Sequence, residues 1–150
     1  MTGLDTNVVL RYMLQDDAKQ TPLANRIFES ELSAENPGFI SVPTILEIVW
    51  VLRSVFRESP ARIADHLEHL LAADLLVVQN EQQVFEAMYA LKRGTGEFED
   101  ALIGALNRWS GCSTTYTFDR KAARLADFSL AVRLFGDAAE TAAKAGRCRR

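Results

Sequence analysis

The feature that most constrains this chain is an alternation. Apolar runs too short for helices are separated by stretches of helical period too long to be hairpin loops. The lead-in to Asp5, then Phe39-Ile40-Ser41-Val42, Leu75-Leu76-Val77-Val78 and Thr114-Thr115-Tyr116-Thr117 read as strands. Between them, Val8 to Leu14, Thr21 to Ser33, Thr44 to Phe56, Pro60 to about Ala73, Glu81 to Lys92 and Phe98 to Ser110 read as helices. Further on, Arg120 to Ala126 is expected as helix, Leu130 to Phe135 as a last short strand, and Ala138 to Ala145 as helix ahead of a frayed basic tail, Gly146 to Arg150. Such an order predicts an α/β fold with a mostly parallel central sheet flanked by helices on both faces. Right-handed crossovers then put the strand ends that carry Asp5 and Asp119 on the same edge.

That edge is where ligands bind in open α/β sheets, so an acid there is placed for chemistry as well as for solubility. Asp5 could equally cap the helix that follows it. Glu47 is the more informative acid. In Ile45-Leu46-Glu47-Ile48-Val49-Trp50-Val51-Leu52 no solvent-facing stripe is evident, which predicts a helix buried on several sides with a carboxylate inside it. A buried carboxylate must pair with a cation such as Arg53, bind a metal, or take up a proton. On the helix beginning at Phe98, the stripe Phe98, Leu102, Leu106 and Trp109 is expected to face inward, with Asp100 opposite. Gly104, one turn beyond Asp100, is expected to leave room for a ligand.

Four carboxylates, Asp5, Glu47, Asp100 and Asp119, thus stand out, with neither histidine nor cysteine beside them. An all-oxygen donor set suits Mg²⁺ or Mn²⁺ rather than zinc, and hard divalent cations point to phosphate chemistry. The net charge of −3 at first argues against a nucleic-acid partner. Carboxylates committed to a divalent cation, however, leave a phosphate facing positive charge. His66 and His69 share a helix face and read as solvated, and Cys112 and Cys148 read as reduced thiols without zinc spacing. With 150 residues, 48% of them hydrophobic, a single domain is expected. Lacking a bilayer-length apolar run or a signal-like start, it is expected in the cytoplasm and away from membranes.

Taken in order, Leu4-Asp5-Thr6-Asn7, Glu47 in a helix after the second strand, Phe98-Glu99-Asp100-Ala101-Leu102-Ile103 and Thr117-Phe118-Asp119-Arg120-Lys121 resemble the motifs of the PIN-domain ribonucleases. They are similar in particular to the VapC-type toxins of toxin–antitoxin pairs. The resemblance runs over about residues 1 to 128. It implies a single PIN-like nuclease domain, placed at 1–136, followed by a C-terminal helix and basic tail at 137–150. It further implies a Mg²⁺- or Mn²⁺-dependent endoribonuclease in which Asp5, Glu47, Asp100 and Asp119 hold the metal, supported by Asn7 and Thr117. A tRNA or rRNA substrate, a cognate antitoxin and a homodimer are implied with it. Members often carry Asp three residues before the third acid, where this chain has Glu97, and neither Glu97 nor Glu99 receives a role. Arg11, Lys92, Arg93, Arg120 and Lys121 lie near loops or helix ends and are the candidates for RNA contact. The competing expectations are a PIN-type nuclease of RNA processing or DNA metabolism without an antitoxin, and a non-catalytic nucleic-acid-binding module. The second is disfavoured because a pure binding role gives no reason for an ionised Glu47 in an apolar helix.

Overall fold

The computed structural model describes residues 1–134. Among them the chain runs β1 (Thr2–Gly3), α1 (Thr6–Leu14), α2 (Gln20–Arg26) with a π-helical turn (Ile27–Glu31), β2 (Gly38–Ile40), α3 (Val42–Ser54) and α4 (Pro60–Leu71). It continues through β3 (Leu76–Val78), α5 (Glu81–Lys92), α6 (Phe98–Trp109), β4 (Thr115–Thr117) and β5 (Phe128–Leu130). Among the described residues all strand pairing is parallel. The first three strands form one ladder in the order β1-β2-β3, with Gly3 opposite Phe39 and Phe39 opposite Val77, and β4 pairs with β5, Thr115 opposite Phe128. This is the expected α/β class, its parallel pairing divided between a three-stranded and a two-stranded ladder. No helix among the described residues is long and apolar enough to cross a membrane.

Local chemistry sets where the helices begin. Ser41 accepts a hydrogen bond from the Thr44 amide at 3.3 Å and Ser59 one from Arg62, each just ahead of a proline in the first turn. The core is built from the three-stranded ladder, α1, the π-helical turn and α3 to α6, where Val9, Ile40, Ile45, Ile48, Leu52, Met88 and Phe98 are fully buried. Each such side chain contributes about 1.5–3 kcal/mol relative to its exposed state. The central strand approaches its neighbours so closely that a Cβ on Gly38 would fall 2.7 Å from Leu4 and 2.9 Å from Leu76.

Several expectations are corrected. The segment from Thr21 to Ser33 is not one α-helix, because it changes to π-helical winding at Ile27. Helix α3 has a solvent face carrying Pro43, Glu47 and Trp50, because the core covers only its Ile45-Ile48-Val49-Leu52 side. Trp109 is 56% exposed, its indole N–H donating to Glu86 at 3.3 Å where the last turn of α6 leaves the core. After Asp119 the backbone forms only a 3-10 turn, Ala122–Arg124, since the Asp119 carboxylate captures the Lys121 amide and tightens the start. The last strand ends at Leu130 and is followed by a 3-10 turn, Ala131–Leu134, where a strand to Phe135 was expected. The expected helix from Ala138, the basic tail, Cys148 and the 137–150 segment lie outside the described residues.

Candidate active site

Asp5 stands at the C-terminal end of β1 with extended backbone, in the capping position of α1, yet its exposed side chain makes no capping hydrogen bond. The capping alternative therefore does not account for it. The next residue makes the notable contact: the buried Thr6 hydroxyl donates to Glu47 Oε2 at 2.5 Å. Glu47 is thus tied to the first turn of α1, one residue from Asp5.

This corrects the expectation that Glu47 is buried, because its side chain is exposed on the solvent face of α3. Among the described residues no ionised carboxylate is enclosed in an apolar helix, so the exposed Glu47 does not count against a non-catalytic binding module. Arg53 does not pair with Glu47 either. Its guanidinium makes a two-point contact with Glu99, at 2.9 and 3.2 Å, and reaches Glu97 at 3.6 Å. The two acids left without a role are therefore partners of Arg53, fastening the N-terminal turn of α6 to α3.

Asp100 lies in that same turn, half-buried. Burial, then the negative charges of Asp119, Glu99 and Glu97, hold its carboxyl above the usual carboxylate range. A position in the first turn of a helix would by itself favour the charged form, so desolvation and neighbouring carboxylates outweigh the helix dipole here. Asp119 follows β4, is exposed, and accepts from the Lys121 amide at 2.6 Å through Oδ1. Its own amide donates to the Thr117 hydroxyl at 3.0 Å, so Thr117 shapes the turn that presents Asp119. Asp100 borders a cleft of about 210 Å³ whose rim carries Lys121 and Arg124. Gly104 does not open it: Gly104 is buried, and a Cβ there would meet the Phe128 ring at 2.8 Å and Asp127 at 3.1 Å. The missing side chain admits β5, not a ligand.

Asp100 thus lies in the negative field of Asp119, while Glu47 is tied to Thr6, the residue after Asp5. Among the described residues no three acid, histidine or cysteine side chains converge closely enough to hold a metal together. The donor chemistry nonetheless fits a hard divalent cation: every donor is a carboxylate oxygen, and the Asp100 carboxyl sits in negative potential that a cation would relieve. Asn7 is exposed and borders a separate groove with Leu23 and Arg11.

Of the cationic candidates, Arg11 is engaged by Asp16 at 2.8 Å and by Gln20. Lys92 bridges to Glu68 at 2.6 Å and Asp65 at 3.7 Å. Arg93 lies 5.5 Å over the Tyr89 ring and donates to its hydroxyl. Arg120 and Lys121 are exposed and make no ion pair among the described residues. Arg124, which sequence reasoning passed over, joins Lys121 at the Asp100 cleft because the 3-10 turn puts positions three apart on one side.

The profile of one protein family, described as PIN domain, matches residues 4–128. No curated protein and no solved structure matches the chain.

Proposed function

The chain belongs to the PIN domain family, whose members are generally nucleases that typically use divalent metal ions, and from that premise we propose that it is a Mg²⁺- or Mn²⁺-dependent endoribonuclease acting as the toxin of a toxin–antitoxin pair. The observation that supports this reading is the Asp100 carboxyl in the first turn of α6, raised by burial and by the charge of Asp119 after β4, with no cationic side chain bonded to it among the described residues. An acid held in this way fits a cation site better than a structural salt bridge.

Asp5, Asp100 and Asp119, with Glu47, would hold the cation, which when bound polarises a phosphodiester and lowers the pKa of the attacking water. The remaining steps belong to side chains of the chain itself. Thr6 holds Glu47 by donating to Oε2 and so fixes which carboxylate oxygen is left over. Thr117 and the Lys121 amide fix the Asp119 turn and occupy Oδ1, leaving Oδ2 without a hydrogen bond among the described residues. Lys121 and Arg124 border the Asp100 cleft and would meet phosphate oxygens flanking the scissile bond. Arg53, through Glu99, keeps the first turn of α6 against α3 and so positions Asp100. The substrate in this reading is a tRNA or rRNA in the cytoplasm, the partner an antitoxin protein, and the assembly a homodimer.

The test is incubation of purified protein with a pool of tRNA and rRNA in Mg²⁺ or Mn²⁺, repeated with chelator and with Asp100→Asn and Asp119→Asn. Discrete fragments that need the metal and vanish in both variants are expected. Fragments that persist in the variants, or in chelator, would remove the carboxylate site from the reaction.

A further inference from the structure

Strand β4 leads to Asp119 with an alternation that the carboxylate chemistry leaves unused. Thr115 and Thr117 are half-buried while Tyr116 and Phe118 are exposed, so the pattern runs one residue past the end of the strand. The inward side is occupied, the Thr115 hydroxyl accepting from the Asn107 side chain of α6 at 3.0 Å. The outward side carries two aromatic rings, Tyr116 55% exposed and Phe118 82%, the highest value for a large hydrophobic side chain among the described residues.

A single exposed phenylalanine is ordinary on a protein surface. This one, however, is bonded directly to Asp119, so its Cα lies about 3.8 Å from that of a carboxylate in the candidate site. It is also held in place. The Asp119 amide donates to the Thr117 hydroxyl at 3.0 Å and the Lys121 amide to Asp119 Oδ1 at 2.6 Å, which ties the backbone on both sides of the ring into one turn. A ring on backbone that is already ordered gives up little further freedom when it binds. Finally, it stands beside positive charge. Arg120 and Lys121 follow it, both exposed and without an ion pair among the described residues, and the exposed Arg124 ends the 3-10 turn after them.

Aromatic rings beside cations are the parts that hold single-stranded nucleic acid, the cations meeting phosphates and the rings taking bases on their faces. Side chains two positions apart on extended backbone are about 6.7 Å from one another, and aromatic rings on a sheet surface hold successive unpaired bases. We propose, resting on the nuclease reading above, that Phe118 binds substrate: its ring stacks on the unpaired base next to the phosphate at Asp119, and Tyr116 extends the same surface. The cut then falls beside an unpaired nucleotide, because a duplex keeps its base faces stacked inside.

A fluorescein-labelled uridine 12-mer and a 12-mer of abasic ribose phosphates share their phosphates and differ only in bases. Anisotropy titration of the full chain in chelator is expected to show the uridine strand binding at least about tenfold more tightly. Phe118→Ala and Phe118→Leu are expected to weaken that strand by about fivefold or more and to leave the abasic strand within about twofold, while Phe118→Trp restores the margin. Phe118 is exposed, so all three variants are expected to fold, and amide spectra check this. Equal loss on both strands, no loss on either, full binding by Phe118→Leu, or no binding of the uridine strand would each overturn the proposal. The titration needs no turnover, so the two readings fail separately. Metal-dependent fragments without a base-dependent margin keep the nuclease and overturn the stacking; a margin that Phe118→Ala removes, without fragments, supports the stacking and removes the nuclease.

Discussion

Thr6 is the residue whose change tests most at least structural cost. Its hydroxyl, buried and donating to Glu47 at 2.5 Å, joins the α1 turn after Asp5 to a carboxylate on a different helix. Thr6→Val keeps the shape and removes the donor. Losing one hydrogen bond to a charged group costs about 1.5–3 kcal/mol when the partner stays desolvated, and less here because Glu47 is exposed and can turn to water. Orienting partners of metal ligands typically contribute about 10–100-fold to affinity or activity. Thr6→Val is therefore expected to raise the Mn²⁺ concentration needed for half-maximal cleavage by about that factor while shifting the urea midpoint little. A large stability loss with unchanged metal dependence would make the contact purely structural. The same residue shows what could be read from the sequence. In the sequence Asp5 and Asp119 stand out as acids that close apolar strands and Glu47 as an acid inside an apolar run, whereas Asp100 lies opposite the apolar stripe of its helix and is marked only by its neighbours. The exposure of Glu47 was not legible, because Trp50 and Pro43 count as apolar in any periodicity yet lie on the solvent face of α3. The Arg53 contact with Glu99 was likewise hidden, being a pairing across 46 positions of sequence.

At the scale of elements, boundaries were readable wherever a local signal set them. Helix α5 runs from Glu81 to Lys92 as expected, and Asp17 marks the approach to α2. The Asp17 carboxylate accepts from the Gln20 amide at 2.7 Å and the Lys19 amide at 2.9 Å, and these two bonds, Gln20 first, hold its pKa below the ordinary value of 3.8. A depressed carboxyl stabilises the fold fully above the unfolded pKa, and that contribution fades as pH falls through the folded value. The urea midpoint of Asp17→Asn is thus expected to lie below that of the wild type at neutral pH and to approach it under acid. A gap independent of pH would mean the amide fails for reasons of shape, not charge. What local signals could not give was packing between elements. Gly104 reads as space for a ligand until β5 is placed beside it, where Phe128 fills the gap at 2.8 Å. Gly104→Ala is expected to push β5 from α6 at a cost of about 1–3 kcal/mol, as overpacking usually does. Measured per folded molecule, its cleavage should stay within about twofold of wild type, since the added Cβ meets Phe128 and Asp127 first; a fall of about tenfold, or about 1.4 kcal/mol in barrier, would return Gly104 to the site.

For the whole molecule the question is how a chain of net charge −3 handles a polyanion. Its acids are not equivalent. Glu97 and Glu99 are matched by Arg53, and Glu68 and Asp65 by Lys92, whereas Asp100 has no cationic partner among the described residues and its charged form is disfavoured by burial and then by the negative charge of Asp119, Glu99 and Glu97. A ligand that binds only the folded chain stabilises it by about 2.7 kcal/mol at a hundred times its dissociation constant. For a domain of this size that corresponds to roughly 5–10 °C in Tm. Saturating Mg²⁺ is expected to raise Tm by that order, well beyond NaCl at equal ionic strength, which only screens. The gain should disappear in Asp100→Asn and in Asp119→Asn but persist in Glu97→Gln, whose carboxylate already has Arg53. If Mg²⁺ and NaCl act alike, or if Glu97→Gln behaves as Asp100→Asn does, the acids form a diffuse negative surface and not a site. Phosphate would then have to be met by Lys121 and Arg124 alone, and two exposed cations beside uncompensated carboxylates are a weak basis for binding RNA.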